Sequence, residues 1–197
     1  MAGSRKDFNR AETQRHIRNT FLDIYKEKGI DGVTVNELCK RAGIVKSTFY
    51  VYFEDKYSVL EEIEQDLLVH LAEVNDHLED IDVSTVLKGE ALPQASKTVD
   101  FILMHLEEYR AIMGPKGDPS FEKRWRRNIA LSFRDRFLKE KGDVQSAGLA
   151  CAIFSSTLIG IYSYFIFENP NISKENFTLI LGNTFKYALM DFQSSTK

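Results

Sequence analysis

Between Thr34 and Phe53 the chain reads TVNELCKRAGIVKSTFYVYF. No other stretch constrains the fold as much, because it predicts two short helices hinged on one glycine. Thr34 is placed to cap the first helix, and Glu37, three residues on, is placed to reach back to the Thr34 amide as in a capping box. Val35, Leu38, Cys39 and Ala42 recur at helical spacing and give that helix a buried side. Gly43 then ends it, since a residue at ease with positive φ can stop a helix abruptly and turn the chain. Ile44 and Phe49 supply apolar plugs between the two helices, and the whole reads as a helix-turn-helix. The second helix, Lys46 to Tyr52, carries Lys46, Ser47, Thr48, Tyr50 and Tyr52, a cation with hydroxyls and phenols that suits phosphates and base edges. A helical hairpin inside an ordinary all-α core is the competing reading of the same pattern.

The next residues favour the first reading. Glu54-Asp55-Lys56-Tyr57 restarts a helix, with Asp55 as cap and a lysine in the first turn, where an ammonium and free amides can meet a phosphate together. From Gly32 to Glu62 the chain resembles the DNA-binding domain of the TetR (tetracycline repressor) family of bacterial regulators. The residues that carry the resemblance are Thr34-Val35, Leu38, Ala42-Gly43-Ile44, Lys46-Ser47-Thr48-Phe49-Tyr50, Tyr52-Phe53, Asp55-Lys56 and Leu60. It implies an all-α protein of about nine helices: a three-helix DNA-binding domain followed by a helical ligand-binding and dimerisation domain. It also implies a major-groove set of Lys46, Thr48, Tyr50, Val51 and Tyr52, with Thr34, Ser47 and Lys56 on phosphates. Val45 departs from the family, which commonly has a capping side chain there, so Ser47 or solvent is left to satisfy the first amides of the second helix. Val51 stands where relatives are often polar or basic, and a thymine methyl is a fitting contact for it.

Charge is distributed as such a reading requires. Residues 1–60 hold 11 Lys/Arg against 8 Asp/Glu, whereas residues 61–197 hold 15 against 21, so a slightly basic head precedes an acidic body. Two cysteines, Cys39 and Cys151, make no disulfide framework, and no signal peptide is recognisable, so a reducing, cytoplasmic setting is expected. Cys39 fills a small-residue slot and is expected to pack.

The remaining chain divides into a polar arm (1–9), the DNA-binding domain (10–56, motif 34–53) and a regulatory and dimerisation domain (57–197). A helix from Arg10 to Lys28, ended by Gly29, should brace the motif with Ile17, Phe21, Ile24 and Tyr25, with Arg15 or Arg18 near phosphates as a lesser expectation. Asp55 to Leu78 reads as one long helix and as the single link between head and body. Its flank holds Glu62, Asp66, His70, Glu73 and His77; two i,i+4 acid–histidine pairs there can chelate, but no third and fourth ligand follows, and a solvated face is preferred. No metal or other cofactor is expected. Ile81 to Pro93 reads as a connection, Gln94 to Met113 as a helix, and Pro119 to Lys141 as a helix with Asp118 as cap. Ile112 to Phe121 resembles a stretch in the C-terminal domain of a Firmicutes-type branch of the same family. In the helix from Pro119, Phe121, Trp125, Ile129, Phe133 and Phe137 stand four apart among many Lys and Arg, a basic face read chiefly as balancing the acidic helix before it.

Val144 to Phe167 carries no charge. That length can span a bilayer, but Gln145, Ser146, Ser155, Ser156, Thr157 and Ser163, without flanking basic clusters, argue against a membrane and for a helix buried on all sides. Gly148, Ala152, Ser156 and Gly160 leave a flat track for close helix approach. The last helix carries Phe177, Leu181, Phe185 and Leu189. By the family resemblance these two helices pair with a second copy in a four-helix bundle. The implied partners are a double-stranded operator, a second copy, and a small-molecule effector held near Phe101, Met104, His105, Tyr109, Trp125, Phe133, Tyr162 and Phe165. A body that docks a partner protein, making the chain a co-regulator, is the alternative. An all-α metal enzyme is a distant third, for the chain shows no nucleophile elbow, phosphate loop or complete ligand set.

Overall fold

The computed structural model describes residues 5–76, 88 and 95–190, without the side chains of residues 5–9, 74–76, 95, 141, 189 and 190. The expected connection at 81–93, the second histidine of the acidic flank (His77) and the side chain of Leu189 therefore lie outside the described residues. All the regular elements among the described residues are helices: α1 (Arg5–Gly32), α2 (Val35–Ala42), α3 (Lys46–Tyr52), α4 (Lys56–Asp76), α5 (Ala95–Met104), α6 (Leu106–Met113), α7 (Phe121–Lys141), α8 (Val144–Phe167) and α9 (Lys174–Met190). They sort into two compact units, one of residues up to 66 together with 107–119, the other of 67–106 with 120 onward.

In the first unit, α1 begins earlier than its apolar pattern predicts, so residues 5–9 of the expected arm are helical. Gly29, at φ 68° and ψ 177°, breaks it as expected, and one further turn follows to Gly32. Ile17, Phe21, Ile24 and Tyr25 are buried, and Phe21 and Tyr25 stack at 5.5 Å. Three cations tie down the rest. Arg18 bonds Glu62 at 3.2 Å and Asp66 at 2.5 Å on α4. Lys26 pairs with Glu107 at 2.8 Å, and Lys116 donates to the Glu27 carbonyl near the break in α1.

The segment Glu107–Pro119 was assigned to the C-terminal domain by sequence, yet it packs as part of this first unit. Its turn is tightly wound: a Cβ at Gly117 would lie 1.8 Å from the Ile112 carbonyl oxygen, and one at Gly114 would lie 2.5 Å from that of Arg110. Since the segment's neighbours on both sides belong to the second unit, the chain passes between the units three times. The long helix is therefore not the single link.

The expected helix 94–113 is divided at His105. Val99 and Ile102 of α5 are buried in the second unit and Tyr109 and Ile112 of α6 in the first, so one straight helix would have to serve two cores. The following helix starts two residues late, at Phe121. Ser120 is its N-cap, without a side-chain cap bond, and Asp118 donates its amide to the Ile112 carbonyl at 2.8 Å.

In the second unit, α7 and α8 form an antiparallel hairpin turned by Gly142 (φ 76°), and Asp143 caps α8 by accepting the Ser146 amide at 2.8 Å. That bond holds the Asp143 carboxyl below its ordinary pKa. The five apolar residues of α7 that stand four apart are all buried. Phe133, Phe137, Phe154 and Phe185 interlock with ring centroids 4.7–6.4 Å apart, and Trp125 stacks on Tyr162 at 5.1 Å. α8 is long and apolar enough to cross a membrane by length and composition, but one of its sides is packed in this aromatic core. Gly148, Leu149, Ala152, Ile153, Ser156, Thr157, Gly160 and Tyr164 are exposed, so α8 is two-sided and not buried all round.

Candidate nucleic-acid interface

The hinge closes as the sequence predicts. Thr34 Oγ1 accepts the Glu37 amide at 3.2 Å, and Leu38, Cys39 and Ala42 are buried. Gly43 takes φ 65°, ψ 28°, which lets the Ile44 amide reach back to the Cys39 carbonyl at 3.0 Å. Only half of the capping box forms. The Glu37 carboxylate instead takes Lys28 Nζ at 2.8 Å and Arg41 at 2.7 Å, and Arg41 makes a second, forked pair with Glu27 at 2.9 Å. Charged partners outcompete a neutral amide for a carboxylate. The Lys28 hydrogen bond, followed by that of Arg41, holds Glu37 below its usual pKa, and the Arg41 hydrogen bond does the same for Glu27.

Phe49 and Phe53 are buried at a centroid separation of 5.8 Å, which anchors α3 by one side. The opposite side carries Ser47, Tyr50 and Val51, all exposed, flanked by exposed Lys46. Thr48 and Tyr52 are half-buried, and the Arg10 guanidinium lies 5.8 Å from the Tyr52 ring, so α1 buttresses that phenol. Val45 is the N-cap residue and makes no side-chain cap bond. Thr34 is exposed beside the turn. Cys39 is buried, and desolvation raises its thiol pKa, which suits packing and not reactivity.

Lys56 is placed differently from the sequence expectation. Its ammonium donates to the carbonyls of Ile30 at 2.8 Å, Val33 at 3.0 Å and Asp31 at 3.4 Å. An ammonium has three N–H groups, and the frayed end of α1 takes all three, so Lys56 acts as a clamp and not as a free phosphate ligand. Sequence could not show this, because both roles call for a lysine at a helix start. Asp55 does cap α4, accepting the amides of Tyr57 and Ser58 at 2.8 Å each. Arg18 is likewise committed to Glu62 and Asp66, whereas Arg15 lines an open cleft of ≈ 530 Å³ with Glu12, Thr13, His16, Asn19 and Ile44. Sequence reasoning passed over that cleft, since its residues come from the polar side of α1 and the turn.

The match to the family described as "Bacterial regulatory proteins, tetR family" covers residues 22–63, from α1 through the hinge into α4. Over residues 22–63 the chain is similar to that family. Within about the same length the chain is similar to three curated regulators. It is 35% identical over 54 residues to the uncharacterized HTH-type transcriptional regulator YvdT of Bacillus subtilis (strain 168). It is 30% identical over 57 residues to YxbF of the same organism, and 31% over 52 residues to the HTH-type transcriptional regulator AcrR of Shigella flexneri. These alignments take in 27%, 29% and 26% of this chain and span 28%, 14% and 24% of the relatives, so they speak for the tetR-type segment alone. A crystal structure of a TetR-family regulator from Mesorhizobium loti aligns over 98% of both chains at 23% identity with a TM-score of 0.46, too loose a likeness to define the second unit.

The residues expected to hold an effector differ in their surroundings. Trp125 and Tyr162 stack on each other, and Phe133 belongs to the phenylalanine cluster, so all three are core. Burial also raises the Tyr162 phenol pKa. Phe101 lies between His70 and His105, with centroids at 5.6 and 4.5 Å, and Met104 is 77% exposed. Tyr109 is buried in the first unit. Phe165 alone of the set lines an open apolar pocket of ≈ 490 Å³, with Thr157, Gly160, Ile161, Tyr164, Ile172, Phe177 and Ile180. Of the residues expected at a subunit interface, Gly148, Ala152, Ser156 and Gly160 are exposed, and a Cβ at either glycine would meet nothing within 4 Å. Phe177, Leu181 and Phe185 are instead buried within the chain itself. Among the described side chains of α9, the large apolar ones that are exposed are Leu179, Ile180 and Tyr187.

The basic residues of α7 find acids close by. Arg126 pairs with Glu122 at 3.8 Å, Arg134 with Asp135 at 3.2 Å and Arg136 with Glu140 at 3.6 Å. On α4, Glu62 and Asp66 pair with Arg18.

Proposed function

We propose that the chain is a DNA-binding transcriptional regulator of the tetR type, acting in the cytoplasm as a ligand-responsive repressor on a near-palindromic operator. The observation that carries this reading is α3: a short helix pinned on one side by Phe49 and Phe53, with Lys46, Ser47, Tyr50 and Val51 free on the other. Such a helix can enter a major groove side-on while Thr34 meets the backbone. Two copies are needed to read an inverted repeat. The support for pairing is the exposed small-residue track of α8, flanked by Leu149 and Ile153, with Leu179, Ile180 and Tyr187 on α9. An effector that favours a head spacing unlike that of the duplex would release DNA through its differential affinity. The resemblance of Ile112 to Phe121 supports a C-terminal part of the Firmicutes-type branch.

Selection of bound duplexes from a random pool, followed by a salt titration of the winner, tests the reading. An inverted repeat, two chains per duplex and affinity that falls steeply with salt are expected. Recovery of no preferred duplex would refute it.

A further inference from the structure

Two of the most exposed apolar side chains of the first unit sit on one short helix. Val45 is 65% and Val51 63% exposed, at the tip and on the outward side of α3, with Tyr50 at 56% beside Val51. Neither valine helps the helix that carries it. A branched Cβ lowers helix propensity at Val51. At Val45 an apolar residue leaves the cap position without the side-chain acceptor that Ser, Thr, Asn or Asp would provide. Both methyl pairs also remain in water, since nothing in the unit packs over them. The sequence thus forgoes local stability at two places on the one helix whose outward side is otherwise hydroxyl, phenol and amine.

An apolar side chain placed on a groove-reading helix has one apolar counterpart in the major groove, the C5-methyl group of thymine. We propose that Val45 and Val51 are specificity-determining contacts to thymine methyl groups, so that each half-site carries T·A pairs recognised by their methyls and not by hydrogen bonds. This rests on the reading of α3 as the groove helix, and it adds the base that the helix prefers. Hydrogen-bonding side chains at these positions would read donors and acceptors shared among several pairs. The valines can read only the methyl, and a cytosine or purine in its place leaves them facing polar edges.

The test replaces each thymine of a pool-selected duplex, one at a time, by 2′-deoxyuridine, which removes the methyl and keeps every hydrogen-bonding group. For the unaltered protein, one or two positions per half-site should lose about fourfold in affinity each, the worth of one buried methyl-sized group. The Val45→Ser and Val51→Ser variants should each bind the thymine and deoxyuridine duplexes equally at one of those positions. The Val51→Ser melting temperature should match the parent, because the site is exposed, and that of Val45→Ser should be no lower, because serine supplies the missing cap acceptor. Uniform tolerance of deoxyuridine by the parent protein would overturn the methyl contacts while leaving the groove reading standing. Unchanged methyl sensitivity in both variants would overturn the assignment to these residues. Failure to select any duplex would overturn the groove reading together with the proposal.

Discussion

The two units are held together by different physics. In the first, cations close the structure: Arg18 on Glu62 and Asp66, Arg41 on Glu27 and Glu37, Lys26 on Glu107, Lys56 on three carbonyls of the α1 end, and Lys116 on a fourth. In the second, aromatic rings do the same work, with Phe133, Phe137, Phe154 and Phe185 locked among α7, α8 and α9. Of the four cations that the sequence places near phosphates or bases, Lys56 and Arg18 are committed internally, whereas Lys46 is exposed and Arg15 lines an open cleft. In a body that carries a charge-free helix, shape and buried area hold the inner side of that helix. The difference teaches that basic residues in a DNA-binding head cannot be counted as DNA contacts until their internal partners are known.

Phe137→Ala should produce the largest effect, a loss of about 3–5 kcal/mol from an enclosed aromatic site. Denaturant unfolding checks it, and the helix content of the second unit should fail first. Lys56→Met comes next. It leaves the carbonyls of Ile30, Asp31 and Val33 without their shared donor and should cost about 1–3 kcal/mol. Were Lys56 a phosphate ligand instead, the same variant would keep its melting temperature and lose DNA affinity alone, so paired melting and binding measurements decide between the roles.

Thr34→Ala removes the cap of α2 and should cost about 1 kcal/mol, read as a small fall in the melting temperature with the second unit unaffected. Acid is the gentlest probe. Glu27, Glu37 and Glu107 have folded-state pKa values lowered by hydrogen bonds to Arg41, Lys28 and Lys26 respectively. Their contribution is therefore complete above the unfolded value of about 4.5 and is lost as pH falls through the lower folded values. These exposed pairs are worth little each. Below that pH, hydrogen exchange in the first unit should rise before it rises around the aromatic cluster; equal acid sensitivity of the two units would remove the contrast drawn above.

What was legible in the sequence was what neighbours in the chain decide. The Thr34 cap, the left-handed Gly43, the Asp55 cap and the four-residue period of α7 all depend on contacts within a few residues, and each is present. Of the α3 residues that the family resemblance placed in a groove, Lys46, Tyr50 and Val51 are exposed and Thr48 and Tyr52 are half-buried, around the buried Phe49 plug. By contrast, the partner of Glu37 was misjudged, since Lys28 and the Glu27-bound Arg41 come within reach only once α1 and α2 pack.

Local sequence by itself determined that this chain is a string of helices with a glycine-hinged pair near its amino end, because caps, turns and periodicity are short-range. Tertiary structure alone decided that Lys56 clamps α1, that Glu107–Pro119 packs with the head, and which side of α8 stays bare. A lysine can reach a phosphate or a carbonyl with equal ease, and a helix with no charged residue carries no mark of which side faces water. Only the positions of distant groups distinguish those outcomes.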